Sequence, residues 1–116
     1  DRSENVRRVA EVAKMFASQG VIVVVGVITP KQALRELAKK VVGDSFVEIY
    51  IHASFETCAS RDPKGLYAKV ADGKIKQFTG KDSGFEEPDC PDLLINTEEL
   101  EPSAAVKKIK TLLPGI

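Results

Sequence analysis

Apolar positions along this chain switch between a helical and an extended period, and the switching predicts its elements. Val6, Val9, Ala10, Ala13, Phe16 and Ala17 recur at helical spacing, with Arg7, Lys14 and Ser18 on the other side. That predicts a helix capped by Ser3 and ended by Gly20. Val21-Ile22-Val23-Val24-Val25 is β-branched and apolar throughout, which predicts a strand covered on both faces, in the middle of a sheet. Thr29-Pro30 predicts the next helix start, proline being suited to a first turn. Its buried stripe is Ala33, Leu34, Leu37, Ala38 and Val41, and Gly43 closes it. Phe46 to Ile51 alternates and predicts a second strand, and Ser54 opens a helix to about Ser60. Leu93 to Ile95 reads as a third strand. Pro102 to Leu113 reads as a last helix with Ala105, Val106, Ile109 and Leu112 inward.

Between Asp62 and Lys81 lies a glycine-punctuated, lysine-rich stretch, followed by an irregular acidic segment carrying Pro88 and Pro91. Strands alternating with helices predict an α/β fold with a parallel sheet built from right-handed crossovers. Three strands are few for a sheet covered on both faces. A chain that starts at Asp1, without methionine, and runs from a helix into a buried strand is expected to have further strands upstream.

Composition narrows the function classes. The 116 residues allow one domain, and 43% hydrophobic residues allow one core. The formal net charge is zero, which removes a global argument for nucleic acid or an anionic membrane. The charge is nonetheless segregated. Arg61, Lys64, Lys69, Lys74, Lys76 and Lys81 face only Asp62 and Asp72, whereas the eight charges from Asp82 to Glu101 are all acidic. A basic segment beside an acidic one suits a local anion site, or else a solvated face. Cys58 and Cys90 are too few and too far apart for a disulfide scaffold or a zinc site, so reduced thiols in the cytoplasm are the expectation. No apolar run approaches the roughly 20 residues of a membrane span.

Familiar site patterns are absent: no Gly-x-x-x-x-Gly-Lys-Ser/Thr loop, no His-x-x-x-His and no Cys-x-x-Cys. The single histidine, His52, ends a strand and reads as structural or solvent-facing. Three segments carry the candidate chemistry. Asp1-Arg2-Ser3-Glu4-Asn5-Val6-Arg7-Arg8 puts Arg2 beside the free N–H groups of a helix start, a good anion site. Arg61-Asp62-Pro63-Lys64-Gly65-Leu66-Tyr67 and Ile75-Lys76-Gln77-Phe78-Thr79-Gly80 combine cations for phosphates, glycines that let the backbone bend, and a flat ring for a base. Read bare, the first is more often a solvated helix start, and the other two also read as a flexible surface loop with a buried aromatic anchor.

Together these segments closely resemble the adenylylsulfate kinase family. Its members read Asp-Arg-x-Glu-Asn-Ile-Arg-Arg, then Ile-Ser-Pro after a buried strand, then Arg-Asp-x-Lys-Gly-Leu-Tyr and Ile-Lys-x-Phe-Thr-Gly, in this order. The resemblance runs from Asp1 to about Thr97. It implies a three-layer P-loop NTPase-like parallel sheet with helices on both faces. It also implies transfer of the γ-phosphoryl group of ATP to the 3′-hydroxyl of adenosine 5′-phosphosulfate, with Mg2+ accompanying ATP. Carried over, Arg2 and Asn5 bind the phosphosulfate and its neighbouring groups, and Ile28 and Thr29 line the acceptor site. Thr29 stands where most members have serine, and is the single candidate catalytic position in the chain. Lys64 contacts the substrate from a lid spanning about 61–81, and Phe78 stacks on its adenine. Arg61 and the backbone around Leu100 approach ATP.

The resemblance also implies a cytoplasmic homodimer, with possible fusion to ATP sulfurylase, and no nucleic-acid or membrane partner. Two departures stand out. Lys31-Gln32-Ala33-Leu34 replaces a segment that carries arginine and aspartate in many members, although Arg35 keeps the later arginine. The family's phosphate-gripping loop, its magnesium ligands and a phenylalanine that pairs with Phe78 would precede Asp1, in roughly 70–80 further residues. The 116 residues alone are therefore expected to be inactive. Two other readings compete: a non-catalytic, kinase-derived domain that binds a phosphonucleotide, and a generic α/β interaction domain.

Overall fold

The computed structural model describes residues 1–61 and 84–113. Its elements, in chain order, are α1 (Arg2–Ala17), α2 (Gln32–Val42), β1 (Ile49–His52), α3 (Phe55–Arg61), β2 (Leu93–Asn96) and α4 (Pro102–Lys110). The α/β class follows: β1 and β2 pair in parallel, with Ile49 opposite Leu93, Ile51 opposite Ile95 and His52 opposite Asn96. Parallel pairing needs a crossover, and α3 lies within it.

The predicted helices form with shifted ends. The cap of α1 is Asp1, not Ser3: its carboxylate accepts from the Ser3 N–H at 3.0 Å. A carboxylate one residue ahead of the helix satisfies an orphan N–H and favours the positive helix end as well, so it outcompetes the serine. The C-terminus closes as expected. Gly20, at φ 85°, takes the left-handed turn that lets the Val21 N–H reach back to the Phe16 carbonyl. Helix α2 starts at Gln32, later than Thr29-Pro30 suggests. Pro30 is buried at the bend before it, and Lys31 is the cap position. Within α2, Leu34 is buried and Leu37, Ala38 and Val41 are half-buried, but Ala33 is exposed. In α4 the outcome is similar, with Ala105, Ile109 and Leu112 partly covered but Val106 about half exposed.

The strands differ more. The expected central strand over Val21–Val25 forms no ladder among the described residues, and the described sheet has two strands. The run is uncovered, from 38% exposed at Val23 to 88% at Val24. β-branched composition favours an extended backbone, yet a strand exists only when a neighbour takes its hydrogen bonds. Likewise β1 starts at Ile49, not Phe46, because β2 begins at Leu93 and pairing is seeded at Glu48 and Asp92. The Asp92 N–H donates to the Glu48 carbonyl at 2.8 Å, and the Glu48 N–H to the Asp92 carboxylate at 2.7 Å.

The core is small. Ala10 and Leu34 are buried on α1 and α2, which pack together, and Ile95 of β2 is fully enclosed. Among the described residues no helix is long and apolar enough to cross a membrane. Cys58 is half-buried and Cys90 exposed, both as free thiols.

Candidate functional site

One large cavity, about 1770 Å³, collects most of the candidate residues. Arg2 and Asn5 reach it from the first turn of α1, Ile28 and Thr29 from the end of the apolar run, and Arg61 from the end of α3. Small-molecule sites usually occupy roughly 300–1,000 Å³, so a ligand would fill only part of this space. Much of the remaining lining is the uncovered apolar run. Lys64 and Phe78 lie outside the described residues. Leu100 lines a separate, smaller hollow with Glu98, Glu99 and Glu101, joined to the first only through Thr97, which borders both. Arg2, Asn5, Ile28, Thr29 and Arg61 thus all border this one broad cavity, and Leu100 does not.

The first turn of α1 is fixed by its charges. Arg7 grips the Glu4 carboxylate through Nε and Nη2, at 2.8 and 2.7 Å, and Arg8 adds a bond at 2.9 Å. Those bonds hold the Glu4 carboxyl down at about 2, and the same contact raises the Arg7 pKa. Two of the arginines are thereby committed to the helix surface. Arg2, directly after the cap, stands on the cavity wall beside the positive helix end.

Thr29 is held in an unusual conformation. Its φ is 38°, and it is the only non-glycine with positive φ among the described residues; β-branched side chains rarely adopt that region. Its carbonyl accepts from Arg35 Nη1 at 2.6 Å. Arg35 Nη2 donates to the Gln32 side chain at 3.1 Å and to the Glu86 carbonyl. The segment 84–87 folds back along this corner. Lys31 Nζ donates to the Gly84 carbonyl at 3.1 Å, the Glu86 N–H to the Pro30 carbonyl at 2.8 Å, and the Gln32 N–H to the Glu86 carboxylate at 2.7 Å. Glu86 thus caps α2 from a distant part of the chain, where Lys31 offers no side-chain cap.

Behind this corner is an aromatic group. The Phe85 ring stacks on Tyr50 at 5.9 Å, and Tyr50 meets the His52 ring edge-on at 5.4 Å. The Tyr50 hydroxyl lies 3.1 Å from His52 Nδ1 and donates to Glu87 at 3.2 Å. Burial, reinforced by the Glu87 charge, raises the Tyr50 pKa. His52 is half-buried at the end of β1 and also borders the large cavity.

At the C-terminal end of β1, beyond His52, Arg61 is tied to the sheet. Its Nη1 donates to the Thr97 hydroxyl at 2.9 Å and its Nη2 to the Thr97 carbonyl at 3.1 Å, while the Thr97 hydroxyl donates to the His52 carbonyl at 3.0 Å. Beside it, Glu98 accepts from the Ser54 N–H at 3.1 Å and from the Thr57 hydroxyl. The Thr57 bond, followed by the Ser54 N–H, lowers the Glu98 pKa. Both arrangements link the residues after β2 to the ends of α3.

Among the described residues no three His, Cys, Asp or Glu side chains converge as a metal site would require. Sequence reasoning gave no role to Arg35, Phe85, Glu86 or Thr97. A signal for Arg35 was available: position 35 falls three residues before Ala38 and one after Leu34, at the edge of the buried stripe, where a solvated arginine is out of place. The contacts of residues 85, 86 and 97 join positions far apart in the chain, and no local pattern announces them.

Comparison with known proteins is direct. The family model described as adenylylsulphate kinase matches residues 1–96. The adenylyl-sulfate kinase of Clostridium acetobutylicum is 48% identical over 97 residues, which cover 84% of this chain and 48% of that protein. The bifunctional enzyme NodQ of a Rhizobium species is 50% identical over 98 residues, covering 84% of this chain and 15% of its own length. The structure of the Mycobacterium tuberculosis APS kinase CysC, in complex with AMPPNP and APS, superposes with a TM-score of 0.88 at 38% identity, over 97% of this chain and 66% of that one. The chain thus spans about half the length of the single-function relative and two-thirds of the solved kinase.

Proposed function

We infer the function from one premise: this chain belongs to the adenylylsulfate kinase family. The protein transfers the γ-phosphoryl group of ATP to the 3′-hydroxyl of adenosine 5′-phosphosulfate, yielding 3′-phosphoadenosine 5′-phosphosulfate and ADP. The acceptor oxygen forms the new P–O bond, the bond to the β-phosphate bridge breaks, and the acceptor proton is released. What supports this reading is that Arg2, Asn5, Ile28, Thr29 and Arg61 line one cavity. Phosphoryl transfer demands mainly alignment of donor and acceptor and neutralisation of charge. Arg2, at a helix start, supplies a fixed cation for the phosphosulfate, and Asn5 offers both a donor and an acceptor. Ile28 and Thr29 border the acceptor's path, with Thr29 the catalytic candidate. Arg61 serves the ATP side.

Lys64 and Phe78 complete the proposed acceptor site as a cation and a stacking ring, and Leu100 contributes backbone near the ATP adenine. Magnesium is proposed to accompany ATP as its counter-ion. The fold in full is proposed to be a three-layer P-loop sheet with helices on both faces. We place the protein in the cytoplasm, in keeping with its free thiols, as a homodimer. NodQ is a bifunctional relative, and fusion to a sulfurylase fits the same scheme. The test is ADP release by the full-length protein, dependent on adenosine 5′-phosphosulfate. Saturable binding of both nucleotides without turnover would overturn catalysis in favour of a non-catalytic nucleotide-binding domain. No binding at all would leave only an interaction domain.

A further inference from the structure

We propose that Arg35 is a positioning residue for the phosphoryl acceptor: its guanidinium holds the backbone of Thr29 in the left-handed turn that presents Ile28 and Thr29 to the cavity. The inference rests on the reading above, in which Thr29 borders the acceptor. Arg35 is only 6% exposed, and among the described residues no carboxylate pairs with it. Its partners are the carbonyls of Thr29 and Glu86, the Gln32 side chain, and the face of Phe85, whose centroid lies 5.5 Å from the guanidinium carbon. Its Nε is buried with no partner.

A buried cation with neutral acceptors and one unsatisfied N–H is a poor way to gain stability, and an apolar side chain would pack the same helix edge at lower cost. What arginine offers instead is a rigid planar fork. One side of that fork fixes the Thr29 carbonyl and the other fixes Glu86, so two backbone segments distant in sequence are clamped at a set separation. The clamp acts where it is needed. A β-branched residue at φ 38° is unfavourable and persists only when its surroundings over-determine it. Lysine retains the charge but lacks the fork, so it cannot bridge both carbonyls and cover the ring.

The test uses the full-length protein with Arg35→Lys, Thr29→Gly and their combination. Arg35→Lys is expected to lower kcat/KM for adenosine 5′-phosphosulfate by about tenfold or more, with the KM for ATP changed by less than about twofold. Glycine takes positive φ without strain, so in the Thr29→Gly background the same Arg35→Lys change should cost less than about threefold. Hydrogen exchange gives a readout that needs no turnover. The amides of Glu86 and Gln32, bonded across this corner, should exchange faster in Arg35→Lys while those of α1 do not.

Fold-changes that simply multiply in the double variant, or unchanged exchange at Glu86 and Gln32, would overturn the proposal. If the unsubstituted protein shows no acceptor-dependent ADP release, the kinase reading fails, and exchange alone decides whether Arg35 holds the turn. Should Arg35→Lys fail to fold, Phe85→Leu removes the ring beneath the guanidinium and carries the test. It should accelerate the same amides and raise the acceptor KM, and normal values of both would overturn the proposal.

Discussion

Truncating Ile95 to alanine should be among the most damaging single changes to this fold. Ile95 is fully buried, lies opposite Ile51 in the two-stranded ladder, and sits two residues ahead of Thr97, which anchors Arg61. Burial of the carbons lost beyond Cβ is worth about 2.4 kcal/mol at about 0.8 kcal/mol per methylene. The hole left behind adds to this, because packed surroundings relax only partly, and the total falls in the range of about 2–5 kcal/mol. Against a stability of about 5–15 kcal/mol, that is a large share. The assay is urea denaturation of the full-length protein, read as a shift of midpoint at unchanged slope. Ile95→Val, a single methylene, should cost about 0.5–1.5 kcal/mol in the same series. A loss below about 1 kcal/mol for Ile95→Ala would refute the claim that this position is sealed.

Three further outcomes are expected. If Arg2 binds the phosphosulfate as proposed, Arg2→Ala in the full-length protein removes a charge-assisted bond worth about 1.5–3 kcal/mol and should raise the acceptor KM by about 10- to 100-fold; steady-state kinetics with an unchanged KM would remove Arg2 from the site. Glu86→Ala deletes the remote cap of α2 and should cost about 0.5–2 kcal/mol in urea melts, with Glu86→Gln losing less because its carbonyl still accepts. The Tyr50 phenol is raised above its ordinary 10.0 in the folded protein, so folding favours its protonated form. Its contribution is complete below pH 10 and is lost as pH rises through the folded value. Phenolate absorbance compared with Tyr50→Phe should show one tyrosine titrating late, and ordinary titration would refute the burial of Tyr50 beside Glu87.

Much of this was legible in the sequence, and the exceptions have a common cause. Helix periodicity located α1, α2 and α4 because side chains three and four residues apart share a face whatever surrounds them. The ends moved where a competing local group won, as Asp1 did over Ser3. Strand boundaries depend on partners: β1 starts where Asp92 begins to pair with Glu48, not where the alternation begins. Residues 21–25 were read as enclosed from their composition, which records a preference for burial but cannot supply the cover. Arg2, Asn5, Ile28, Thr29 and Arg61, picked out by the family resemblance of their motifs, all line the cavity. Arg35 was noted only as a retained arginine and Glu86 not at all, because the contacts that join them to this corner cross some fifty residues of chain.

The bare stretch 21–28 carries its own hazard. It holds seven β-branched residues and Gly26, with neither charge nor proline to interrupt it, and its side chains are 38–88% accessible. Short uncharged segments of this kind template cross-β stacking when their edges stay open. Any copy of these 116 residues in which the stretch finds no pairing neighbour is therefore expected to be recovered from cells as inclusion bodies rather than as dissolved protein.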